Sequence, residues 1–342
     1  MTEPLLSIDD LHTYFHTDEG TVRAVDGVSF DVHRGETVCL VGESGSGKSV
    51  TSESITRLIP QPPGEIVSGT IRFEGEDVTE MTEAELRRIR GNRIGHVFQN
   101  PQGSLNPVLT VGKQIREGLQ VHTDLSKGER RERAIELLDE VGIPDAATRV
   151  QDYPHEFSGG MKQRAIIAMA LACEPDLLIA DEPTTALDVT IESQIIDLLL
   201  DIQEEHGMSL LFVTHDLGVV AEIADRVVVM YAGKVMETAS VYDLFDTPAH
   251  PYTRALLECL PGLGTRIEPI GGGLPDVTDP PDGCRFADRC PHAIEDCTNE
   301  DQPPLVPIDG GDHRASCLLY QEGYDEGVIV DDTAPLPGRD SP

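Results

Sequence analysis

The chain has 342 residues, enough for one large core and a smaller appendage. Its 26 basic residues face 61 acidic ones, a net charge of −35 that excludes a nucleic-acid partner, whose phosphates it would repel. Hydrophobic residues make up 39%, too many for a disordered acidic chain.

Carboxylates spread along the whole length, with only five lysines, suit a surface built for very salty cytosol, where screening suppresses self-repulsion. A halophilic, archaeal source is expected. No apolar run approaches the roughly 20 residues that cross a bilayer, the longest being AIIAMALAC at 165–173. MTEPLLSIDD lacks the basic start of a signal peptide, so a cytosolic protein reaching the membrane through partners is expected. Seven cysteines in that compartment read as ligands, buried thiols or redox groups, Cys39 and Cys173 lying in apolar core segments.

In chain order, TVCLVG (37–42) is a buried strand, followed by GESGSGKS, Gly42 to Ser49, which opens a helix. Gly42, Gly45 and Gly47 let the backbone curl around a phosphate, with Ser44 and Ser46 between them. Lys48 supplies charge for the β and γ phosphates and Ser49 a hydroxyl for Mg²⁺. Nucleotide binding follows. PQPPG (60–64) is a loop, and Thr82 with Glu85 and Ser126 with Glu129 have capping-box spacing at helix starts.

LLIADEP holds a further strand whose end delivers Asp181 and Glu182 to the edge of an open α/β sheet where ligands gather. Asp181 is placed to hold Mg²⁺ and Glu182 to orient and polarise an attacking water. TIESQIIDLLLDIQEE follows as a helix, then SLLFVT (209–214) and RVVVMY (226–231) as strands. Alternating strands and helices imply a largely parallel sheet covered by helices. GGGLPDVTDPPDG (271–283) separates this body from a segment carrying Cys284, Cys290, Cys297 and Cys317, and the acidic, proline-bearing tail from Gln321 is expected to lack structure.

FSGGMKQR, Phe157 to Arg164, whose Ser158 lies nineteen residues before the start of LLIADEP, resembles the signature sequence of ABC ATPases. The resemblance covers about residues 5 to 262 and implies an ABC-type P-loop NTPase: a RecA-like core with antiparallel β and helical subdomains. It implies that Ser158, Gly159 and Gly160 contact the γ-phosphate held by an opposite subunit. By the same resemblance Gln99, in HVFQNPQGSLNP, senses Mg²⁺ and the membrane partner, Asp188 in TTALD is the D-loop residue facing across the dimer, and His215 in LLFVTHD contacts the γ-phosphate. Phe15, with Tyr14 as the alternative, is expected to stack on adenine.

VGESGSGKS, VFQNPQGSLNP, HPYTRALLECLP and GCRFADRCPHA further resemble the ATPases of dipeptide and oligopeptide importers. That subgroup implies an ATP- and Mg²⁺-using subunit, a second ATP-binding subunit, identical or different, two membrane permeases and an external solute-binding protein, at the cytoplasmic face of the membrane. Nickel or another small solute is the alternative cargo. A soluble ABC ATPase unconnected with transport is the alternative class, disfavoured by a single ATPase domain and no sustained heptads.

Expected boundaries are 1–262 for the ATPase domain, 263–320 for a small cysteine-rich extension and 321–342 for the tail. The four cysteines, with five, six and nineteen residues between them, lack the tight pairs of structural zinc sites. Four cysteines with Pro291 after Cys290 suit an iron-sulfur cluster, zinc being the alternative and His292 and His313 substitute ligands. The resemblance to peptide-importer ATPases, some of which carry a 4Fe-4S cluster in this extension, points the same way.

Overall fold

A computed structural model describes residues 3–99, 101–185, 187–260, 271–299, 301–308, 310–325 and 327–330. The chain divides into two compact units. The first takes Met1–Leu5, Val32–Thr37 and Phe73–Val213; the second takes Leu6–Asp31, Val38–Arg72 and Thr214–Pro342.

In the first unit, Leu177–Asp181 is buried at every position, as expected of a central strand with helices on both faces. It pairs in parallel with Ile94–Val97 on one side and Ser209–Thr214 on the other. The helices begin where the capping pattern places them. Thr82 and Glu85 form a reciprocal capping box at Glu83–Ile89, and Ser126 and Glu129 form another at Lys127–Glu140. Val111–His122 buries Val111, Ile115 and Leu119 at four-residue spacing and packs against Lys127–Glu140 and Gly159–Ala170. Gly112 permits its close approach, since a Cβ there would lie 2.4 Å from the Val150 carbonyl oxygen.

In the second unit, Leu6–Thr17 lies between Gly20–Val32 and Gly64–Phe73. The buried strand Thr37–Val41 pairs in parallel with Arg226–Tyr231, which turns back antiparallel onto Lys234–Ser240. Beyond that, Arg314–Ala315 pairs with Lys234–Ser240, and Val306–Pro307 pairs with Arg314–Ala315. The cysteine-bearing segment therefore contributes strands to the sheet, where the sequence suggested an appendage set apart after residue 262. The tail expected to be unstructured from Gln321 carries the short helix Gly327–Val330; Ile329 packs with Cys317 and Leu319, and Tyr324 donates to Asp296. Residues 331–342 lie outside the described residues.

Glu237, fully buried on the antiparallel strand, accepts from the backbone N–H of Ala249 (2.8 Å) and His250 (2.7 Å) and pairs with His313 (2.7 Å). His250, 1% exposed, caps the helix Pro251–Glu258, its Nδ1 accepting from the Tyr252 N–H at 3.0 Å. Burial pulls its pKa down from 6.5 to about 4. Over that window the folded chain binds fewer protons than the unfolded one, so this stability is complete above pH 6.5 and declines as pH falls toward 4. The loss should reach about 3 kcal/mol for a shift of this size. Thermal melts between pH 7 and 4 should show it, and His250→Asn, which keeps a capping acceptor, should flatten that window.

Candidate nucleotide site

The phosphate loop belongs to the second unit and issues from the buried strand Thr37–Val41. Its glycines are required rather than decorative. Gly42 has φ +152° and Gly47 φ +101°; a Cβ on them would lie 2.1 Å from the Met230 carbonyl oxygen and 2.2 Å from that of Ala24. The loop backbone is thus wedged between two strands and fastened there, Gly233 donating to the Ser46 carbonyl at 2.9 Å. Lys48 begins the helix Lys48–Ile55, is 5% exposed, and folds back so that Nζ donates to the carbonyls of Gly42 (2.8 Å) and Glu43 (2.9 Å). Ser44 and Gly45 are exposed, whereas Ser46 is buried. Ser49 lies in the first helical turn. Curled backbone, a lysine laid along it and a helix beginning at that lysine form an anion-receiving surface.

Of the two aromatic candidates, Tyr14 is engaged elsewhere: its hydroxyl donates to Asp26 at 2.6 Å. Phe15 lies against Gly64, where a Cβ would sit 3.0 Å from the ring. His215 is exposed just after Ser209–Thr214, and its neighbour Asp216 caps the helix Leu217–Ile223 through the Gly218 N–H at 2.7 Å.

In the first unit, Asp181 ends its strand at 3% exposure. Glu182 follows with φ +43°, a left-handed conformation costing a non-glycine residue on the order of 1–3 kcal/mol and concentrated at functional sites. The turn is held because the Glu182 N–H donates to the Val213 carbonyl at 2.9 Å. Its Oε2 accepts from Gln99 Nε2 at 2.8 Å and from the Thr185 hydroxyl at 2.9 Å. Two residues 83 apart in sequence, each singled out separately, therefore meet. Thr185 was not singled out; its signal is a hydroxyl three residues past the glutamate, on a turn closed by Thr185 N–H to the Glu182 carbonyl at 3.1 Å.

Ser158 caps Gly159–Ala170, accepting from the Met161 N–H at 3.3 Å. Ser158 and Gly159 are exposed at that helix start, and a Cβ on Gly160 would press to 2.9 Å from Ile191. Asp188, also exposed, caps Val189–His206 through the Ile191 N–H at 3.0 Å.

The cysteine segment departs from expectation. Burial raises the thiol pKa of Cys284 and Cys290 to about 11 and of Cys317 to about 12, so all three stay protonated at neutral pH. The thiols are near enough to feel one another's charge, as Cys284 does that of Cys297 and Cys290. Among the described residues, however, no three His, Cys, Asp or Glu side chains gather so as to hold a metal ion. His313, proposed as a substitute ligand, is paired with Glu237. The donors do not fit a 4Fe-4S cluster or zinc as they stand, and neither is assigned. What holds the segment is packing: Cys284 N–H donates to the Cys297 carbonyl at 2.8 Å, and Phe286 is buried against Tyr231, Tyr252 and His250.

The same segment carries two ion pairs that the sequence did not announce. Arg285, nearly buried, reaches Asp26 at 2.6 Å, and Lys234 reaches the same carboxylate at 3.3 Å. Burial alone would raise the Asp26 pKa; the Tyr14 hydroxyl, Lys234 and Arg285 outweigh it and hold the carboxyl well below its usual range. Arg289 forms the second pair, with Glu43.

A phosphate loop at a strand end, a strand-terminal Asp-Glu pair joined to Gln99, and a glycine-led signature helix define an ABC-type P-loop ATPase. Residues 25–185 match the family described as ABC transporter, and residues 236–297 match the oligopeptide/dipeptide transporter C-terminal region. The chain is 48% identical over 333 residues to a dipeptide transport ATP-binding protein of Bacillus subtilis, covering 96% of this chain and 99% of that one. It is 51% identical over 322 residues to a probable peptide ABC transporter ATP-binding protein of Sinorhizobium fredii, covering 93% and 96%. A dimeric ATP-binding cassette solved in a post-hydrolysis state with ADP and phosphate superposes with a TM-score of 0.62 at 30% identity, covering 69% of this chain and 98% of that one. The chain belongs to the ATP-binding proteins of ABC transporters, in the branch that carries the oligopeptide/dipeptide C-terminal region. It is an ATPase. Among the described residues no helix is long and apolar enough to cross a membrane.

Proposed function

We propose that this chain binds and hydrolyses ATP to power import of dipeptides or oligopeptides through membrane permeases. The observation that carries the reading is near full-length similarity, about half the residues identical, to peptide-transport ATP-binding proteins, with their C-terminal region included. The subunit sits peripherally at the cytoplasmic face, pairs with a second ATP-binding subunit and serves two permeases and an external solute-binding protein.

In this reading the phosphates lie on the loop from Gly42 to Ser49, Lys48 turns its ammonium to them, and Phe15 stacks on the adenine. Ser49, Gln99 and Asp181 would hold Mg²⁺, which when bound would supply charge neutralisation for the nucleotide. Glu182, presented on its strained turn and steadied by Gln99 and Thr185, orients and polarises the attacking water. His215 contacts the γ-phosphate. Ser158, Gly159 and Gly160 offer a helix start to the γ-phosphate of the partner's nucleotide, with Asp188 facing across the dimer. Hydrolysis removes those contacts and lets the dimer reopen. Because Gln99 belongs to the segment expected to face the permease, its hydrogen bond to Glu182 gives permease movement a direct hold on the water-orienting group.

The test is ATP-dependent uptake of a labelled dipeptide by proteoliposomes holding the chain with its permeases and binding protein, run over a KCl series and repeated with nickel. Peptide accumulation that needs ATP and rises with salt supports both the cargo and the salt-adapted surface implied by a net charge of −35. Accumulation of nickel alone overturns the cargo.

A further inference from the structure

We infer that Arg289, carried by the C-terminal segment, is a positioning residue for the phosphate loop, which it holds through Glu43 in the shape that receives nucleotide. The inference rests on the loop from Gly42 to Ser49 being the nucleotide site.

Arg289 lies in the short helical turn Ala287–Arg289 between Cys284 and Cys290, and its side chain is 6% exposed. Nη1 donates to Glu43 Oε2 at 2.9 Å and Nη2 to Glu43 Oε1 at 2.9 Å, a bidentate pair. Nη1 also donates to the Tyr231 hydroxyl at 3.0 Å, and Nε to the Gly271 carbonyl at 2.9 Å. The guanidinium stands over the rings of Tyr231 (5.4 Å) and Phe286 (5.8 Å). A guanidinium placed by two rings and a backbone carbonyl holds Glu43 in one position.

Glu43 is the second residue of the loop, and its other polar groups are occupied by the loop itself and by a buried ring. Its N–H donates to the Tyr252 hydroxyl at 2.9 Å; its carbonyl accepts from Lys48 Nζ at 2.9 Å and from the Ser46 N–H at 3.2 Å. A displacement of the Glu43 side chain therefore carries the carbonyl that holds Lys48. A second contact reaches the loop from the same segment: a Cβ on Gly45 would meet Leu274 at 3.3 Å. Arg289 is nearly enclosed while the Glu43 side chain keeps 27% of its surface exposed, so salt should screen the pair less than one exposed on both sides. A loop set in advance saves the ordering cost that nucleotide would otherwise bear, so the effect belongs in affinity rather than in the chemical step.

The experiment uses the full chain, a fluorescent ATP derivative with Mg²⁺, thermal melts and steady-state ATPase assays. Arg289→Ala should weaken nucleotide binding about 3- to 10-fold and raise KM alike, with kcat at saturation within about 2-fold of wild type. Arg289→Lys, which keeps the charge and loses the fork, should fall between. Glu43→Ala should match Arg289→Ala, and the double variant should lose no more than either single, because one acts through the other. A residue that only stabilises the fold would lower the melting temperature and leave affinity unmoved; folded Arg289→Ala binding within about 2-fold of wild type overturns the inference. Should Arg289→Ala not fold, Arg289→Lys and Glu43→Gln complete the same cycle. Lys48→Ala separates the two readings: normal binding by that variant refutes the nucleotide-site assignment, whereas its loss beside unaffected Arg289 variants refutes only the role of Arg289.

Discussion

Glu182→Gln is expected to bind ATP normally and remain in the ATP-bound dimer while its turnover falls by a factor of about 100 or more. The amide occupies the space of the carboxylate and still presents an oxygen to Gln99 Nε2 and the Thr185 hydroxyl, which contact Glu182 at 2.8 and 2.9 Å. Position is thus conserved and only charge and basicity are lost. The left-handed backbone at φ +43° is unchanged by the substitution, so any strain stored there is unchanged too. Measuring ATP affinity, single-turnover hydrolysis and ATP-dependent association on the same preparation separates binding from chemistry. Hydrolysis near the wild-type rate would remove Glu182 from its assigned role. Thr185→Ala probes the same carboxylate from the other side, and comparison with the glutamine variant shows how much of the effect is orientation.

Gly47→Ala should be among the most damaging single methyls in the protein. At φ +101° an alanine is strained at once, by more than about 1 kcal/mol. The added carbon would also lie 2.2 Å from the Ala24 carbonyl oxygen, backbone against backbone, where no rotamer change gives relief. The loop must move, and it carries Lys48, the next residue. ATP affinity should fall more than about 10-fold with a clear loss of melting temperature, read by nucleotide titration and calorimetry. Gly35→Ala is the matched comparison: φ is +72° there, but nothing lies within 4 Å of the new carbon. It should show backbone strain with nucleotide binding intact. Equal loss of binding in both variants would mean that strain alone accounts for Gly47.

The parts that could be read from sequence are those whose physics is local. A phosphate loop needs glycines, a lysine and a helix start within eight residues, and a capping box needs two residues three apart, so Gly42 to Ser49 and Thr82 with Glu85 stand out of the string. Gln99 and Glu182 could be singled out only as separate motifs; that they share a hydrogen bond is a property of two adjacent parallel strands. Contacts across great separations left no periodic trace. Arg289 and Glu43 are 246 residues apart, Arg285 and Asp26 are 259 apart, and neither arginine lies on a repeating face. The number of cysteines suggested ligands; among the described residues no three donors gather to hold a metal ion, while burial and the Cys284–Cys297 backbone pairing fasten the segment. The tail misled through composition, its acidic and proline content concealing Ile329, which is fully buried.

The strand Arg314–Ala315 lies along Lys234–Ser240, five of whose seven positions, Val-Met-Glu-Thr-Ala, form a wholly buried stretch. An uncovered strand of that kind offers a row of free amides and carbonyls to any other extended chain. By laying two short strands over it, the C-terminal segment ends the sheet with Val306–Pro307, whose proline has no N–H to offer a further strand. A version of this protein cut at residue 262 would keep every catalytic motif and yet present a sticky margin. In that respect Val306–Pro307 and Arg314–Ala315 work as a selvedge, finishing the margin of the sheet so that it no longer ends on a long buried strand.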